Sequence, residues 1–418
     1  MDFSKLVEGI YDCDCGKVHT CPIEHIVIEK DALNSLTDIC SAYHGILLIA
    51  DQNTFRVCGE EVKEILGARI TSEVIFQTGD APLIPNEEAI ARMEENVSSE
   101  TDLILGVGSG VINDLCKYVS YEHNLPQYIV ATAPSMDGYA SVGSALILKG
   151  MKITLPSKPP KAIIADTKVL KDAPFDMLQA GYGDIIGKYS CLNDWKLSVL
   201  INDEYFCQKV YDMTYETVEK VRKLANGIRN REEEAVGALM EALVVVGVAM
   251  SYVGNSRPAS GSEHHFSHYF EITGILKNEP YLAHGIDVFY SSVLTAALRE
   301  KIANGVPSLR KFDKARWEKE IRRIYLSSAD EVMDLQNRLG WYEKDDSKTV
   351  YEKWPQIQAL LKEAPTEKET LAMVEAIGMD YQKFMELYGE KKIEDAVLYA
   401  KDLKDRYTVL WLYYNYFR

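Results

Sequence analysis

The chain is short of cysteine, of positive charge and of long apolar runs. Eight cysteines in 418 residues are too sparse for a disulfide scaffold, so the expected setting is a reducing cytoplasm. Lysine and arginine total 46 against 63 aspartates and glutamates, a formal net charge of −17. That deficit argues against nucleic-acid partners and anionic membrane surfaces, both of which need a basic face. It leaves room for an anionic small molecule, because the local field of a pocket can oppose the net charge. The most apolar stretch, residues 239–250, is interrupted by Glu241. It falls short of the roughly 20 residues that cross a bilayer, so a buried helix is expected there and no membrane span. Residues 1–8 carry no charged-then-apolar signal pattern, and no tandem repeat or low-complexity linker interrupts the remainder of the chain.

What is present fits a globular chain too long for one ordinary core. Short apolar runs at residues 26–28, 45–50, 73–76, 103–106, 127–131 and 162–165 are mostly separated by stretches of helical composition, such as residues 86–97. Alternation of that kind predicts a parallel sheet covered on both faces. Residues 143–158 read as a hairpin and connection. Beyond about residue 172 long segments rich in Leu, Ala, Glu, Lys and Arg take over. Thr366 and Glu369, after Pro365, form a plausible capping box opening a helix. The expected fold is α/β: a Rossmann-like parallel-sheet domain over residues 1–172, then an all-helical domain over 173–418.

Glycines at 106, 108 and 110 follow the run at 103–106 and precede the helical-looking residues 111–121. Glycines at a strand-to-helix turn let phosphate approach the backbone, and the helix offers free N–H groups and a positive dipole end. The pattern is neither the standard dinucleotide fingerprint nor after the first strand, so a ligand-free turn is the competing reading. Asp51, just after the run at 45–50, could accept bonds from a ribose diol or simply build a turn. Thr132, Ser135, Asp137 and Ser141 follow the run at 127–131, at the strand end where α/β folds place ligands.

Four of eight histidines fall between residues 264 and 284: His264, His265, His268 and His284. His264 and His268 share a helix face by their i, i+4 spacing. One carboxylate with two imidazoles would suit Zn2+, Fe2+ or Ni2+ and leave a coordination position open. Asp184, in a Gly-Tyr-Gly-Asp run, could be that carboxylate or a helix N-cap. Cys13, Cys15, His19 and Cys21 invite a structural zinc. Their Cys-x-Cys spacing is tighter than the usual knuckle and no second pair follows, so a plain hairpin turning at Gly16 is expected.

Taken in order, Asp51-x-Asn-Thr, Gly106-x-Gly108-Ser109-Gly110-x-x-x-Asp114-x-x-Lys117, Ala-Pro-Ser135-Met-Asp137-Gly, Gly-Asp184-Ile-Ile-Gly-Lys188, Ser-Arg257-Pro-Ala-Ser-Gly-Ser-Glu-His264-x-Phe-Ser-His268 and Ala-His284-Gly resemble the glycerol-1-phosphate dehydrogenases. That family belongs to the iron-containing alcohol dehydrogenase and dehydroquinate synthase-like superfamily. The resemblance runs from about residue 10 to about 290 and gives no motif for the rest.

The resemblance implies two domains with NAD(P) and a divalent metal, Zn2+ or Ni2+, in the cleft between them. It implies Asp184, His264 and His284 as metal ligands, and Asp137 and His268 as substrate contacts joined by Asp184. It implies cofactor contacts from Gly108, Ser109, Gly110, Val111, Ile112, Asn113, Asp114, Thr132, Ser135 and Ser141, with Asp51 favouring NAD. The implied reaction is reversible reduction of dihydroxyacetone phosphate to sn-glycerol 1-phosphate by a cytoplasmic homodimer acting on a small phosphorylated polyol or ketone. Arg257 and Lys188 are candidates for the substrate phosphate by proximity alone. A glycerol dehydrogenase and a dehydroquinate-synthase-like lyase are the alternatives.

Overall fold

The computed structural model describes residues 3–79, 81–148 and 151–418. Six strands form one parallel sheet: β1 (His25–Glu29), β2 (Ile46–Asp51), β3 (Ile70–Phe76), β4 (Leu103–Gly108), β5 (Gln127–Ala131) and β8 (Ala162–Asp166), in the order β1-β8-β5-β4-β2-β3. Each expected apolar run is one of these strands. The central strands β4, β5 and β8 are buried along their whole length, whereas the edge strands β1 and β3 carry exposed positions. That contrast is why the central runs are continuously apolar and the edge runs are not. β6 (Gly143–Leu148) and β7 (Met151–Pro156) make the expected antiparallel hairpin; its residues 149 and 150 lie outside the described ones.

The helices that matter here are α1 (Glu87–Glu94), α2 (Gly110–Glu122), α3 (Phe175–Asn202), α4 (Gln208–Arg222), α5 (Glu233–Val253), α6 (Ser262–Lys277), α7 (His284–Ala303) and α8 (Glu367–Ala376). The Asn86 side chain caps α1 by accepting from the Ala89 N–H.

The structure divides the chain differently from the single break expected at residue 172. One compact unit comprises Met1–Ile185 and Lys223–Asn255; the other comprises Ile186–Arg222 and Ser256–Arg418. The dividing point falls inside α3, an unbroken 28-residue helix. The chain returns to the first unit because α5 is apolar nearly all round and must be buried. Gly247 of α5 lies against Ala140, and Thr167, just after β8, donates to Glu233. Among the described residues α5 alone is long and apolar enough to cross a membrane, and 83% of its most apolar window is buried inside the fold. It is a core helix, as its interruption by Glu241 suggested.

In the second unit, α8 opens on the expected capping box. The Thr366 hydroxyl accepts from the Glu369 N–H, and the Glu369 carboxylate accepts from the Thr366 N–H. Replacing Thr366 with Ala should cost about 1 kcal/mol of stability, read as an earlier urea unfolding transition; an unchanged transition would show the box to be idle.

Candidate metal and cofactor site

β3 and β4 lie on opposite sides of β2, so the strand order changes direction there, and open α/β sheets bind ligands outside the carboxyl ends of strands at such a point. Asp51 ends β2, and Ala50 pairs with Val107 of β4, so Asp51 and the turn at Gly108–Gly110 flank the switch. Asp51 builds the turn: one carboxylate oxygen accepts from the Asn53 and Thr54 N–H groups. Ser109 is the N-cap of α2 yet makes no side-chain capping bond. The first N–H groups of α2, at Gly110, Val111 and Ile112, therefore have no helical partner, the arrangement that receives phosphate elsewhere. The side chains of Ile112 and Asn113 face inward and are buried. Asn113 donates to the Gly138 and Tyr139 carbonyls and accepts from Gln127.

Sequence reasoning gave Lys117 no role, although its motif contains it. The fully buried ammonium meets the Asp114 carboxylate at 3.0 Å, the Ser141 hydroxyl at 3.0 Å and the Gly138 and Gly143 carbonyls at 3.1 and 2.6 Å. Lys117 thereby ties α2 to the loop after β5. That loop starts at Thr132, whose N–H donates to the Gly108 carbonyl. Thr132, Ser135, Asp137 and Ser141 lie on the loop that follows β5, while Asp51 and the glycine turn stand at the carboxyl ends of β2 and β4.

Asp184 is ten residues inside α3, which removes the N-cap alternative. Interior glycine weakens a helix by about 1 kcal/mol relative to alanine, so the glycines before Asp184 need a reason. A Cβ at Gly181 would stand 1.8 Å from the Pro134 carbonyl oxygen. Only glycine lets α3 come this close to the loop after β5, and the approach places the Asp184 carboxylate 2.9 Å from the Asp137 N–H, which donates to it.

In the second unit, α6 and α7 bring three imidazoles together. Ring centroids lie 5.1 Å apart for His264 and His284, 5.6 Å for His268 and His284, and 6.2 Å for His264 and His268. His265, also on α6, is fully buried with neither ring nitrogen hydrogen-bonded among the described residues. α3 runs on past Asp184 so that Gly187 lies against Val288 of α7 and Glu263 of α6. Within the second unit, His264 and His284 thus present two imidazoles side by side, borderline nitrogen donors of the kind that a divalent transition metal takes.

Glu263 was another residue without an assigned role. Its carboxylate lies 2.7 Å from His264 Nδ1 and accepts from the Gly261 N–H at 2.8 Å. Burial pushes its pKa up to about 7, against the lowering effect of the Gly261 N–H and the Lys188 charge. A carboxylate beside one ring nitrogen orients the other for metal and raises its basicity. A Glu directly before a ligand-type His was the available signal. His268 has Glu271 3.9 Å from Nδ1. Burial, aided by the Lys404 charge, drives its pKa well below the usual histidine value, so it is neutral near pH 7.

Residues 27–174 match the family described as iron-containing alcohol dehydrogenase. A curated glycerol-1-phosphate dehydrogenase (NAD(P)+) from Halalkalibacterium halodurans is 33% identical over 344 residues, 78% of this chain and 85% of that protein. The chain belongs to the glycerol-1-phosphate dehydrogenase family. A family member from Bacillus licheniformis is 29% identical over 411 residues, 97% of this chain and 92% of that protein. The likeness therefore extends through the helical tail. The fold is that of a sulfoacetaldehyde reductase from Bifidobacterium kashiwanohense in complex with NAD+, at a TM-score of 0.60 and 14% identity, covering 95% of this chain and 97% of that one.

For this glycerol-1-phosphate dehydrogenase family member one expectation is corrected. Arg257 is not placed to bind substrate phosphate: its buried guanidinium is held in a bidentate pair by Glu204, at 2.9 and 2.6 Å, and donates to the Tyr407 carbonyl. Lys188 is fully buried, with its charge facing Glu263. The geometry at Gly181 is open to a direct test. Replacing Gly181 with Ala should cost about 1–3 kcal/mol through overpacking and lower turnover together with Tm. A variant that melts and turns over like the parent would show that α3 does not need this close approach.

Proposed function

We propose that the protein catalyses the reversible NAD(P)-dependent reduction of dihydroxyacetone phosphate to sn-glycerol 1-phosphate. Asp184, His264 and His284 would hold one divalent metal, Zn2+ or Ni2+. The observation that carries this reading is 33% identity, over 78% of the chain, to a protein named for that activity, with the His264 and His284 rings side by side in the second unit. The metal, when bound, supplies Lewis-acid polarisation of the substrate carbonyl. NAD(P)H supplies the hydride.

The chain's own residues do the rest. Glu263 fixes the His264 ring so that Nε2 faces the ligand set. The free N–H groups at the start of α2 receive the cofactor's phosphates. Asp114 and Ser141, both held by Lys117, and Gly108, Ser109, Thr132 and Ser135 line the cofactor side. The second carboxylate oxygen of Asp51 is the one available to a ribose diol, which favours NAD. Asp137, with its N–H bound to Asp184, orients a substrate hydroxyl. His268, neutral and partly exposed, passes a proton between substrate oxygen and water. A homodimer in the cytoplasm completes the reading, supported by the family resemblance.

NADH oxidation with dihydroxyacetone phosphate, measured after chelation and with Zn2+ or Ni2+ added back, tests the reaction. Activity should vanish on chelation and return with metal, and glycerol should be a far poorer reductant of NAD+ than glycerol 1-phosphate. His264→Ala should lose metal and turnover together; full turnover by that variant without metal rules out the assigned role. Glu263→Gln should weaken metal affinity or activity about 10- to 100-fold, as followed by metal titration.

A further inference from the structure

A phosphorylated substrate carries a charge of about −2 near neutral pH into a chain whose formal net charge is already −17. Its phosphate needs a cation in the site, and the two basic residues that the motifs offered are committed. Arg257 is held by Glu204 and the Tyr407 carbonyl, and the buried Lys188 has its charge facing Glu263. The helical tail of the second unit offers another. The chain leaves a 3-10 turn at Ala400–Leu403 and becomes extended at Lys404, with φ −135° and ψ 162°. Lys404 and Arg406 are half-buried and Asp405 between them is exposed, the in-and-out alternation of an extended backbone. Both ends of this short run are fixed. The Gln336 amide donates to the Asp402 and Lys404 carbonyls, at 2.8 and 3.3 Å. The Arg406 guanidinium donates to the Ser260 carbonyl and the Ser256 hydroxyl, just before α6.

Two residues of α6 locate Lys404 along that helix. His265 and His268, spaced i, i+3, are neighbours on the helix surface. Burial is the main cause of the low pKa of each. After burial, the Lys404 charge acts most strongly on His268, and it comes second to Arg406 on His265. Lys404 therefore stands over the turn of α6 between His265 and His268. Arg257 adds to the positive field at His265, Asp405 lies 3.7 Å from Arg406, and Glu271 lies 3.9 Å from His268 Nδ1.

We propose that Lys404 receives the phosphate of the substrate and so selects a phosphorylated ketone over its unphosphorylated analogue. The inference rests on the reading of His268 as the contact that passes a proton to a substrate oxygen. In dihydroxyacetone phosphate one methylene and one bridging oxygen separate the phosphorus from the carbonyl carbon. The group that serves the carbonyl oxygen and the cation that serves the phosphate must then be neighbours, as His268 and Lys404 are. An ammonium is a compact charge with three donors, suited to a phosphate met from one side. Gln336 and Arg406 hold the backbone on either side of it, so its position is set before substrate arrives.

Steady-state kinetics of the metal-loaded protein test this. Lys404→Met should raise the KM for dihydroxyacetone phosphate about 10- to 100-fold, with a smaller change in kcat and a parental KM for NADH. The preference in kcat/KM for dihydroxyacetone phosphate over dihydroxyacetone should fall by the same factor, whereas structural damage lowers both together. Lys404→Arg, which keeps the charge, should recover part of the preference. Calorimetric titration of inorganic phosphate into the metal-free protein, saturated with NAD+ to fill the cofactor's own phosphate seats, gives a readout apart from turnover. The parent should bind phosphate and Lys404→Met should bind it at least about tenfold more weakly. A parent that binds no phosphate overturns the proposal without reference to any variant. So does a Lys404→Met protein with parental KM and phosphate affinity, or with equal losses on both ketones. A raised KM for NADH alone overturns it too, by assigning Lys404 to the cofactor. Phosphate binding that depends on Lys404, in a parent that does not reduce dihydroxyacetone phosphate, would leave this site standing and remove the proposed reaction.

Discussion

The distance between α3 and the loop after β5 governs the placement of Asp184 and Asp137. A helix whose Gly181 lies against the Pro134 carbonyl cannot slide or rotate without either a clash or a void. That contact fixes the height of Asp184 along α3 and aims its carboxylate at the Asp137 N–H. The same loop is also held by Lys117 of α2, which bonds to Ser141 while paired with Asp114. One loop of about ten residues is thus clamped from below by a buried ammonium and from above by a helix. Its hydroxyl and carboxylate groups are positioned by backbone geometry and need no ligand to arrange them.

The histidine end is stabilised by a different kind of interaction. Asp194 of α3 accepts from the Ser262 N–H and hydroxyl and from the Val409 N–H, all at 2.7 Å or less. Burial pushes its pKa up to about 6, with the neighbouring Glu263 charge adding to the effect. Two buried acids side by side are costly unless every oxygen is bonded. The segment at Gly261, where a Cβ would lie 2.6 Å from the Cys191 backbone, brings the Ser262 donors to one Asp194 oxygen and the Gly261 N–H to one Glu263 oxygen, Val409 serving the other Asp194 oxygen; only the second Glu263 oxygen of this pair has no hydrogen-bond partner among the described residues. The glycine and the two acids therefore belong to one device, which seats the start of α6 and with it His264.

Much of this was legible in the sequence because it depends on local pattern. All six strands of the sheet, the hairpin at 143–158, the capping box at Thr366 and the turn at Gly16 follow from spacing and residue type. The i, i+4 pairing of His264 and His268 does too. What escaped depends on contacts between distant positions. Nothing near Glu204 marks it as the partner of Arg257, because a lone carboxylate after a helix has no periodicity. Arg257 sits in the most specific motif yet serves Glu204 and Tyr407, since proximity in sequence to a histidine does not fix where a long side chain points. The break expected at 172 rested on a change of composition. Composition registers where helices begin, and an apolar helix such as α5 can return to an earlier core without any local sign of doing so.

The helical tail carries no recognised motif, and its role follows from hydrogen bonds. Arg406 donates to the Ser260 carbonyl and the Ser256 hydroxyl. Tyr407 offers its carbonyl to Arg257 and its hydroxyl to Asp346, and Val409 donates to Asp194. Residues 406–409 thus satisfy polar groups on both sides of the Ser256–Ser262 segment, the segment that leads into His264. Backbone groups buried in such a bend must be paired, and helix or sheet cannot pair them here. The tail supplies the missing partners. Where it meets the bend only Arg406 does so through its side chain; Tyr407 and Val409 use a carbonyl and an N–H that nearly any residue type would present. That is a physical reason why a part of the chain that supports the bend before His264 shows no signature of its own.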